Sequence, residues 1–461
     1  MKVLSDPGNN LHEGLLAIRQ QFKVPDGFPA SVMAAADVAV RRAPTQHVDR
    51  TAMPFVTLDP ATSTDLDQAF TIERSGGDLL LHYAIADVNW FVDAGDVIDA
   101  EAWRRGTTQY LPDGKASLYP PSLSEGAASL LPTGPRPAVI FTVRIAADGG
   151  ASLQSATRAI IKSRAKLAYD TVQDRDLPAD FVELAARIQA AEDRRGAARV
   201  DPPEQEVAAL GGGQFQLLFR PRLLSEARNA AMSLATNMAI ADALQAHHTG
   251  LFRVMAEPEP KAVLRLRHTA VGLGINWPEA MTLAQFQKTL NADSPKEAAF
   301  MLAVRRAGEG ASYVPYQEGV TPWHAAMAAT YAHSTAPLRR LADRYVVAAT
   351  LAIANGQVVP HTVTEAFAKL PPVMAQAGQR GGQIERAVID LAEAAMLQAR
   401  VGETFAAVAT DVTEKATRIQ LNDLPVVASL LGSNAAPGDQ LRVRLTGVNM
   451  SQRQVMFERV P

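Results

Sequence analysis

The chain has 461 residues, enough for about three domains. Its 47% hydrophobic and 20% charged residues are the balance of a folded globular protein and exclude a disordered chain. Cysteine is absent, which excludes disulfide scaffolds, thiolate metal sites and cysteine nucleophiles, and a formal net charge of −3 provides no global positive field. A nucleic-acid partner therefore needs a locally basic groove. The first ten residues carry an acid and a proline where a signal peptide needs an apolar core. The apolar stretches at 232–244 and 345–354 fall short of the ~18–20 uninterrupted residues of a membrane span. These features point to a cytoplasmic protein with no membrane partner.

Residues 1–49 read as mostly helical. Leu11, Leu15, Leu16, Ile18 and Phe22 recur at helical spacing before Pro25-Asp26-Gly27, and a second helix from Pro29 carries Val32, Ala36 and Val40. The pair suits either a helix-turn-helix unit or a segment docked on the next domain. From residue 54 strands are expected at 55–58, 69–72, 79–84 and 139–145, with Ser75-Gly76-Gly77-Asp78 as a hairpin turn. Residues 150–210 read as largely helical, 214–219 as a strand, and most of 223–399 as long helices, apart from 251–260 and a loop at 313–322. Five β-rich runs follow between 404 and 459, matching an OB-type barrel or another small β-barrel. The fold class is α+β: a helical region at 1–49, a sheet core surrounded by helices at 50–398, and a five-stranded barrel at 399–461.

Three segments could carry chemistry. In Asp59-Pro-Ala-Thr-Ser-Thr-Asp65-Leu-Asp67-Gln68, Asp65 and Asp67 are two apart and leave the same face of an extended segment. Asp59 ends the preceding strand, and the three carboxylates suit Mg²⁺ or Mn²⁺, or simply cap turns. In Tyr331-Ala-His-Ser-Thr335-Ala-Pro337-Leu-Arg339-Arg340, a helix start at Thr335 would put both arginines in its first turn, favourable for phosphate, unless Asp343 pairs with one of them. His333 reads as a structural residue. In Arg104-Arg105-Gly-Thr-Thr-Gln-Tyr110-Leu-Pro112, the arginines could neutralise phosphates while Tyr110 stacks on a base or anchors the core. Glu385 is expected near the start of a long helix.

Taken in order with His82-Tyr-Ala-Ile-Ala-Asp87-Val, these motifs resemble the ribonuclease II / ribonuclease R family, whose catalytic unit is the RNB domain. The resemblance covers about residues 50–398, and the terminal barrel is similar to the family's ribosomal-S-one-type OB domain. It implies a 3′→5′ exoribonuclease that hydrolyses single-stranded RNA to nucleoside 5′-monophosphates with two Mg²⁺ ions. By the same resemblance Asp59, Asp65 and Asp67 would be metal ligands, with Asp67 essential, and Arg339 would stabilise charge on the attacked phosphate. Tyr110 would stack on the terminal nucleotide, Glu385 would lie near the substrate end, and Glu226 would contact ribose. Arg105 and Arg340 join the expected substrate-binding set. Gln68 stands where the family has a fourth aspartate, offering an oxygen but no charge, and the second stacking aromatic falls near Val200. The rival reading is an RNA-binding protein on the same fold with weak or no hydrolysis. A nucleotide-sugar transferase built on Asp65-Leu-Asp67 would leave the arginine segment and the barrel unexplained.

Overall fold

A computed structural model describes residues 10–198, 204–211, 214–220, 222–291, 294–308, 310–412, 416–431 and 435–461. It opens with α1 (Asn10–Gln21) and α2 (Ala30–Ala39). Leu11, Leu15 and Ile18 of α1 enter one apolar core with Ile384, Val388 and Leu391. Gly14 approaches Leu391 so closely that an added Cβ would lie 2.5 Å from Leu391 Cδ1. Val32 and Ala36 of α2 are buried in the main core instead, so both helices dock on the body of the protein.

The middle of the chain is built on a sheet of β1 (Val48–Asp49), β2 (Val56–Asp59), β3 (Gln68–Ser75), β4 (Asp78–Ala86), β7 (Arg136–Ile145), β8 (Ala151–Ile161) and β9 (Ala165–Ala168). Their order is β1-β8-β7-β4-β3-β2-β9. Ser75 pairs with Asp78 across Gly76-Gly77, and Gly76 takes φ +61°, the backbone a two-residue hairpin turn requires. Between β4 and β7 lie α3 (Val97–Arg105) and a small hairpin, β5 (Gln109–Leu111) and β6 (Gly114–Ala116). β7 is buried at most positions on both faces, as a central strand covered on two sides must be.

Helix α4 (Phe181–Arg195) is followed by the hairpin β10 (Glu204–Gly211) and β11 (Gln214–Arg220), then by α5 (Leu224–Ala246). The small residues Ala231, Ala235, Ala239 and Ala241 let α5 run through the interior, packed against the sheet. β12 (Leu251–Val254) pairs with β13 (Ser312–Pro315). The excursion between them folds as α6 (Pro260–Gly272), α7 (Leu283–Gln287) and α8 (Pro295–Ala307) around Leu266, Trp277, Phe286 and Phe300. After β14 (Trp323–His324), β15 (Ala329–Thr330) and α9 (Leu341–Ala354) comes α10 (His361–Leu397). At 37 residues α10 is about 55 Å long.

The terminal barrel contains β16 (Thr404–Val412), β17 (Ala416–Leu421), β18 (Val427–Leu431), β19 (Gln440–Asn449) and β20 (Gln454–Val460). The order is β18-β17-β16-β19-β20, and the two end strands approach each other to leave the barrel nearly closed. Leu397, the last residue of α10, enters the barrel core beside Phe405, Ile419 and Leu445. Four residues earlier, the buried Glu393 accepts hydrogen bonds from Val427 N of the barrel (2.8 Å) and Gln205 Nε2 of β10 (2.7 Å). Burial pushes its carboxyl up to about 7.

Three expectations are corrected. Residues 150–210 are not largely helical: they contain β8, β9 and β10, with α4 as the single α-helix of the segment among the described residues. The alanines of β8 suggest helix, but its ladder with β7 decides, because β-propensity depends on cross-strand packing. Arg339 and Arg340 precede α9 rather than occupy its first turn, since 331–340 is a loop tied down by buried side chains. Glu385 lies in the last third of α10 instead of opening a helix, because the run from His361 continues through Pro371-Pro372. The position near Val200 lies outside the described residues.

Candidate active site

Asp59 is the last residue of β2, whose parallel pairing with β9 sets Asp59 opposite Ala168. The chain then loops out and returns at Leu66, which is fully buried and acts as a peg. Leu66 N bonds to Ser129 Oγ at 2.9 Å, its carbonyl accepts from Leu130 N, and Ser129 Oγ donates to Thr64 O. Pegging Leu66 fixes its two neighbours, so Asp65 and Asp67 emerge at defined positions, Asp65 within the field of Asp59.

Asp67 is buried and reads the loop before α9. Its Oδ1 accepts Leu338 N at 2.7 Å and its Oδ2 accepts Arg339 Nε at 3.2 Å. That loop is fixed from three other directions. Asn237 Oδ1, on α5, accepts from both Ser334 N and Ser334 Oγ. Asp343 Oδ2 accepts Ala336 N. The backbone of 106–108 zips along it, with Thr108 N bonded to Arg339 O and Leu341 N to Gly106 O, both at 3.0 Å. Gly106 is needed there, since its φ is +73° and an added Cβ would stand 2.7 Å from Ala377 Cβ of α10. The Arg-Gly-Thr-Thr segment and the Thr-Ala-Pro-Leu-Arg segment, far apart in sequence, thus form one wall.

Tyr110, in β5, pairs across the hairpin with Lys115 in β6, so their side chains share a face. Tyr110 is 55% exposed, and its hydroxyl donates to Asp65 Oδ2 at 2.8 Å. Lys115 Nζ donates to Asp65 Oδ1 at 2.7 Å and lies 3.2 Å from Glu125 Oε1. Arg19 of α1 grips Asp113 at the hairpin turn through two bonds of 2.9 Å.

Burial pushes the carboxyls of both Asp59 and Asp67 up to about 7, with Arg339 pulling each back down and Asp65 raising each. Asp65 and Arg339 therefore lie within the field of both buried carboxyls. Asp59 Oδ2 is buried and has no hydrogen-bond partner. Hard carboxylate oxygens, one of them unpartnered, fit Mg²⁺ or Mn²⁺ chemistry. Among the described residues no three acidic or imidazole side chains are gathered into a finished ligand shell; Lys115 and Tyr110 hold Asp65.

The remaining sequence candidates divide. The Gln68 Oε1 accepts from the hydroxyls of Tyr83 and Ser233, on the side of the strand facing α5. Arg340 is locked to Asp343 through bonds of 3.0 and 2.8 Å. Arg105 departs from its expected role at substrate. It is 3% exposed, bonded to Glu101, Ser117 O and Gly27 O, and its guanidinium lies 3.7 Å from the Phe28 ring centroid. Its place at the inward end of α3 gives it no open face. Glu226 caps α5, accepting Leu223 N at 2.8 Å and pairing with Arg220 at 2.8 Å. Glu385 is exposed on α10, one turn beyond Gly381, which lies against the Gln109 side chain. His333 is half-buried, bonded through Nδ1 to the Tyr313 hydroxyl at 2.7 Å, and desolvation lowers its pKa well below the usual value. It is a neutral structural imidazole.

Lys115 and Glu125 were not singled out from sequence. The signal was present: Pro112-Asp113-Gly114 is a turn, and a hairpin there necessarily sets Lys115 opposite Tyr110.

The sheet, the aspartate loop latched to an arginine loop, and the terminal barrel define a known architecture: the chain belongs to the RNB-domain family. The RNB domain matches residues 47–354, and the RNase II-type exonuclease C-terminal S1 domain matches residues 403–460. Among characterised proteins, the chain is 26% identical over 448 residues to ribonuclease R of Thermotoga maritima, covering 89% of this chain and 62% of that protein. It is 25% identical over 524 residues to ribonuclease R of Escherichia coli, covering 99% and 63%. To exoribonuclease 2 of Cronobacter sakazakii it is 28% identical over 403 residues, covering 82% and 62%. The chain thus spans less than two thirds of the length of these relatives. Its fold matches Mycoplasma genitalium RNase R in complex with ribose-methylated single-stranded RNA with a TM-score of 0.86 at 20% identity, covering all of this chain and 79% of the other. It also matches yeast Ssd1, a pseudonuclease, with a TM-score of 0.70 at 16% identity, covering 96% and 59%. Among the described residues no helix is long and apolar enough to cross a membrane.

Proposed function

We propose that this chain is a 3′→5′ exoribonuclease that removes nucleoside 5′-monophosphates from single-stranded RNA and depends on a divalent cation. The observation that carries the reading is the latch between Asp67 and the Leu338–Arg339 backbone and side chain, which sets a guanidinium beside a cluster of carboxylates. Asp59, Asp65 and Asp67 would hold the cation, Mg²⁺ or Mn²⁺. When bound, such an ion acidifies a water and neutralises phosphate charge.

The side chains supply the rest. The water oxygen bonds to phosphorus as the bond from phosphorus to the 3′ oxygen of the penultimate nucleotide breaks. The water gives up a proton and the 3′ oxygen takes one. Arg339 uses Nε on Asp67, which leaves its other N–H donors for the phosphoryl oxygens that gain charge. The exposed ring of Tyr110 stacks on the terminal base while its hydroxyl stays on Asp65. By the family resemblance Glu385, exposed on α10, would lie near the substrate end, and Glu226, at the start of α5, would contact ribose. Arg105 and Arg340, engaged internally, shape the wall instead of meeting the strand. Two-ion chemistry as in the family would need charge where Gln68 stands.

The test is incubation of 5′-labelled single-stranded RNA with the protein and Mg²⁺, beside Asp67→Asn. The expected result is a ladder shortening from the 3′ end that chelator and the substitution both abolish. Gln68 and the likeness to a pseudonuclease favour the second reading, RNA binding without hydrolysis. Retained binding with no shortening by the unaltered protein would establish it.

A further inference from the structure

We propose that Lys115 is a built-in cation of the acidic cluster, standing in for a second divalent ion, so that the site gathers one divalent cation per chain. This rests on the proposed nuclease reading in using the same three carboxylates, and its test is separable from it.

Lys115 is held in place, not merely near. Its pairing with Tyr110 in the hairpin sends both side chains to one face, where together they engage both oxygens of Asp65. The ammonium has two further acceptors, Thr64 Oγ1 at 3.1 Å and Glu125 Oε1 at 3.2 Å. Thr64 itself donates to the other Glu125 oxygen at 2.9 Å, which closes a small ring of groups around Nζ. The hairpin turn is anchored to α1 by Arg19 and Asp113, with Arg19 also reaching Gly114 O at 3.1 Å. Lys115 is therefore a positioned charge with only 20% of its side chain exposed.

The charges then decide how many ions the cluster can take. Of the three aspartates, Asp67 is paired with Arg339 and Asp65 with Lys115. Asp59 retains a buried oxygen without a donor. Gln68 adds no charge, and Tyr83 and Ser233 occupy its oxygen. With Glu125, which also faces Lys115, the four carboxylates exceed the ammonium and the guanidinium by two negative charges, which one divalent ion beside Asp59 neutralises. A second would enter against both the ammonium and the guanidinium with no carboxylate left over to offset them. A carboxylate oxygen has two acceptor positions, so Asp65 can serve Lys115 and the single ion together. The ammonium also gives the terminal phosphate a cationic neighbour on the Tyr110 side.

The experiment is a titration of the full chain with Mn²⁺ alone, followed by electron paramagnetic resonance, with Lys115→Met and Lys115→Arg alongside. The expected result is one tightly bound Mn²⁺ in the unaltered chain and in Lys115→Arg, and a spin-coupled pair in Lys115→Met. A coupled pair in the unaltered chain overturns the proposal whatever the variants do. So does an unchanged single ion in a Lys115→Met protein whose melting temperature matches the unaltered chain. RNA shortening is scored separately: one Mn²⁺ without shortening removes the nuclease reading and leaves the role of Lys115 standing, and a coupled pair with shortening does the reverse.

Discussion

Leu338 donates its backbone N–H to Asp67 Oδ1 across 271 positions of sequence, and that bond determines where the adjacent Arg339 can point. A buried carboxylate ordinarily needs such donors. Here the donor segment also carries an arginine whose guanidinium combines contact with the aspartate cluster and substantial exposure, its side chain being 41% exposed. The same interaction satisfies Asp67 and aims the charge.

Arg339→Ala should lower the single-turnover rate of RNA shortening by about 10²–10³-fold, the usual loss when one donor to a transition-state oxyanion is removed. Arg339→Lys should recover only part, since an ammonium lacks the planar fork. RNA affinity measured by filter binding should change by much less than the rate. Equal losses in both would mean that Arg339 grips the strand in the ground state.

Asp59 and Asp67 both have carboxyls raised by burial to about 7. A raised folded-state value means that stability is greatest below the unfolded pKa, near 4, and is lost as pH rises through about 7. In chelator, the melting temperature should therefore fall between about pH 5 and pH 8, and Mg²⁺ should restore it most at the alkaline end. A melting temperature unaffected by Mg²⁺ at pH 8 would rule out these carboxylates as its ligands.

Glu393 gives a second, separable pH effect at the junction of α10 with the barrel. Its value also rises to about 7, so its ionisation costs on the order of 3 kcal/mol in the folded state at alkaline pH, lost progressively from about pH 5 upward. Glu393→Gln keeps an acceptor for Val427 N and removes the charge. The variant should show a flatter dependence of unfolding free energy on pH between 5 and 8 than the unaltered chain. Identical slopes in denaturant titrations would show that Glu393 does not carry the effect.

Tyr110→Ala removes a stacking surface worth about 1–3 kcal/mol per base, so the Michaelis constant for short RNAs should rise and the smallest product should lengthen. Tyr110→Phe retains the ring but releases Asp65 Oδ2. It should keep the product length while changing the Mg²⁺ concentration needed for half-maximal rate. If both variants shift product length equally, the hydroxyl and not the ring does the clamping.

Much of the fold was legible because it is written locally. The strand runs at 69–72 and 79–84, the Gly76-Gly77 turn and the five β-rich runs after 404 each appear in the structure within three residues of where the pattern suggests. Residues 150–168 were misread because alanine-rich segments have no strong period, and the β7 ladder that makes β8 a strand is not local. The arginine loop was misread as a helix start for a related reason. Its conformation is dictated by Asn237, Asp343, Asp67 and the 106–108 backbone, none of them adjacent to it.

The sequence by itself determined which chemical groups this protein can use: three aspartates at a fixed short spacing, an arginine, a tyrosine, a glutamine in place of an acid, and no thiol. Spacing within one loop is a covalent property and survives any folding. Which of those groups meet was decided only in three dimensions. Arg105 was drawn inward by Glu101 and Phe28, Arg340 was consumed by Asp343, and Lys115 was brought onto Asp65 by a hairpin register. The physical reason is that a charged side chain takes the best partner available at its final depth of burial, and that depth is set by tertiary packing.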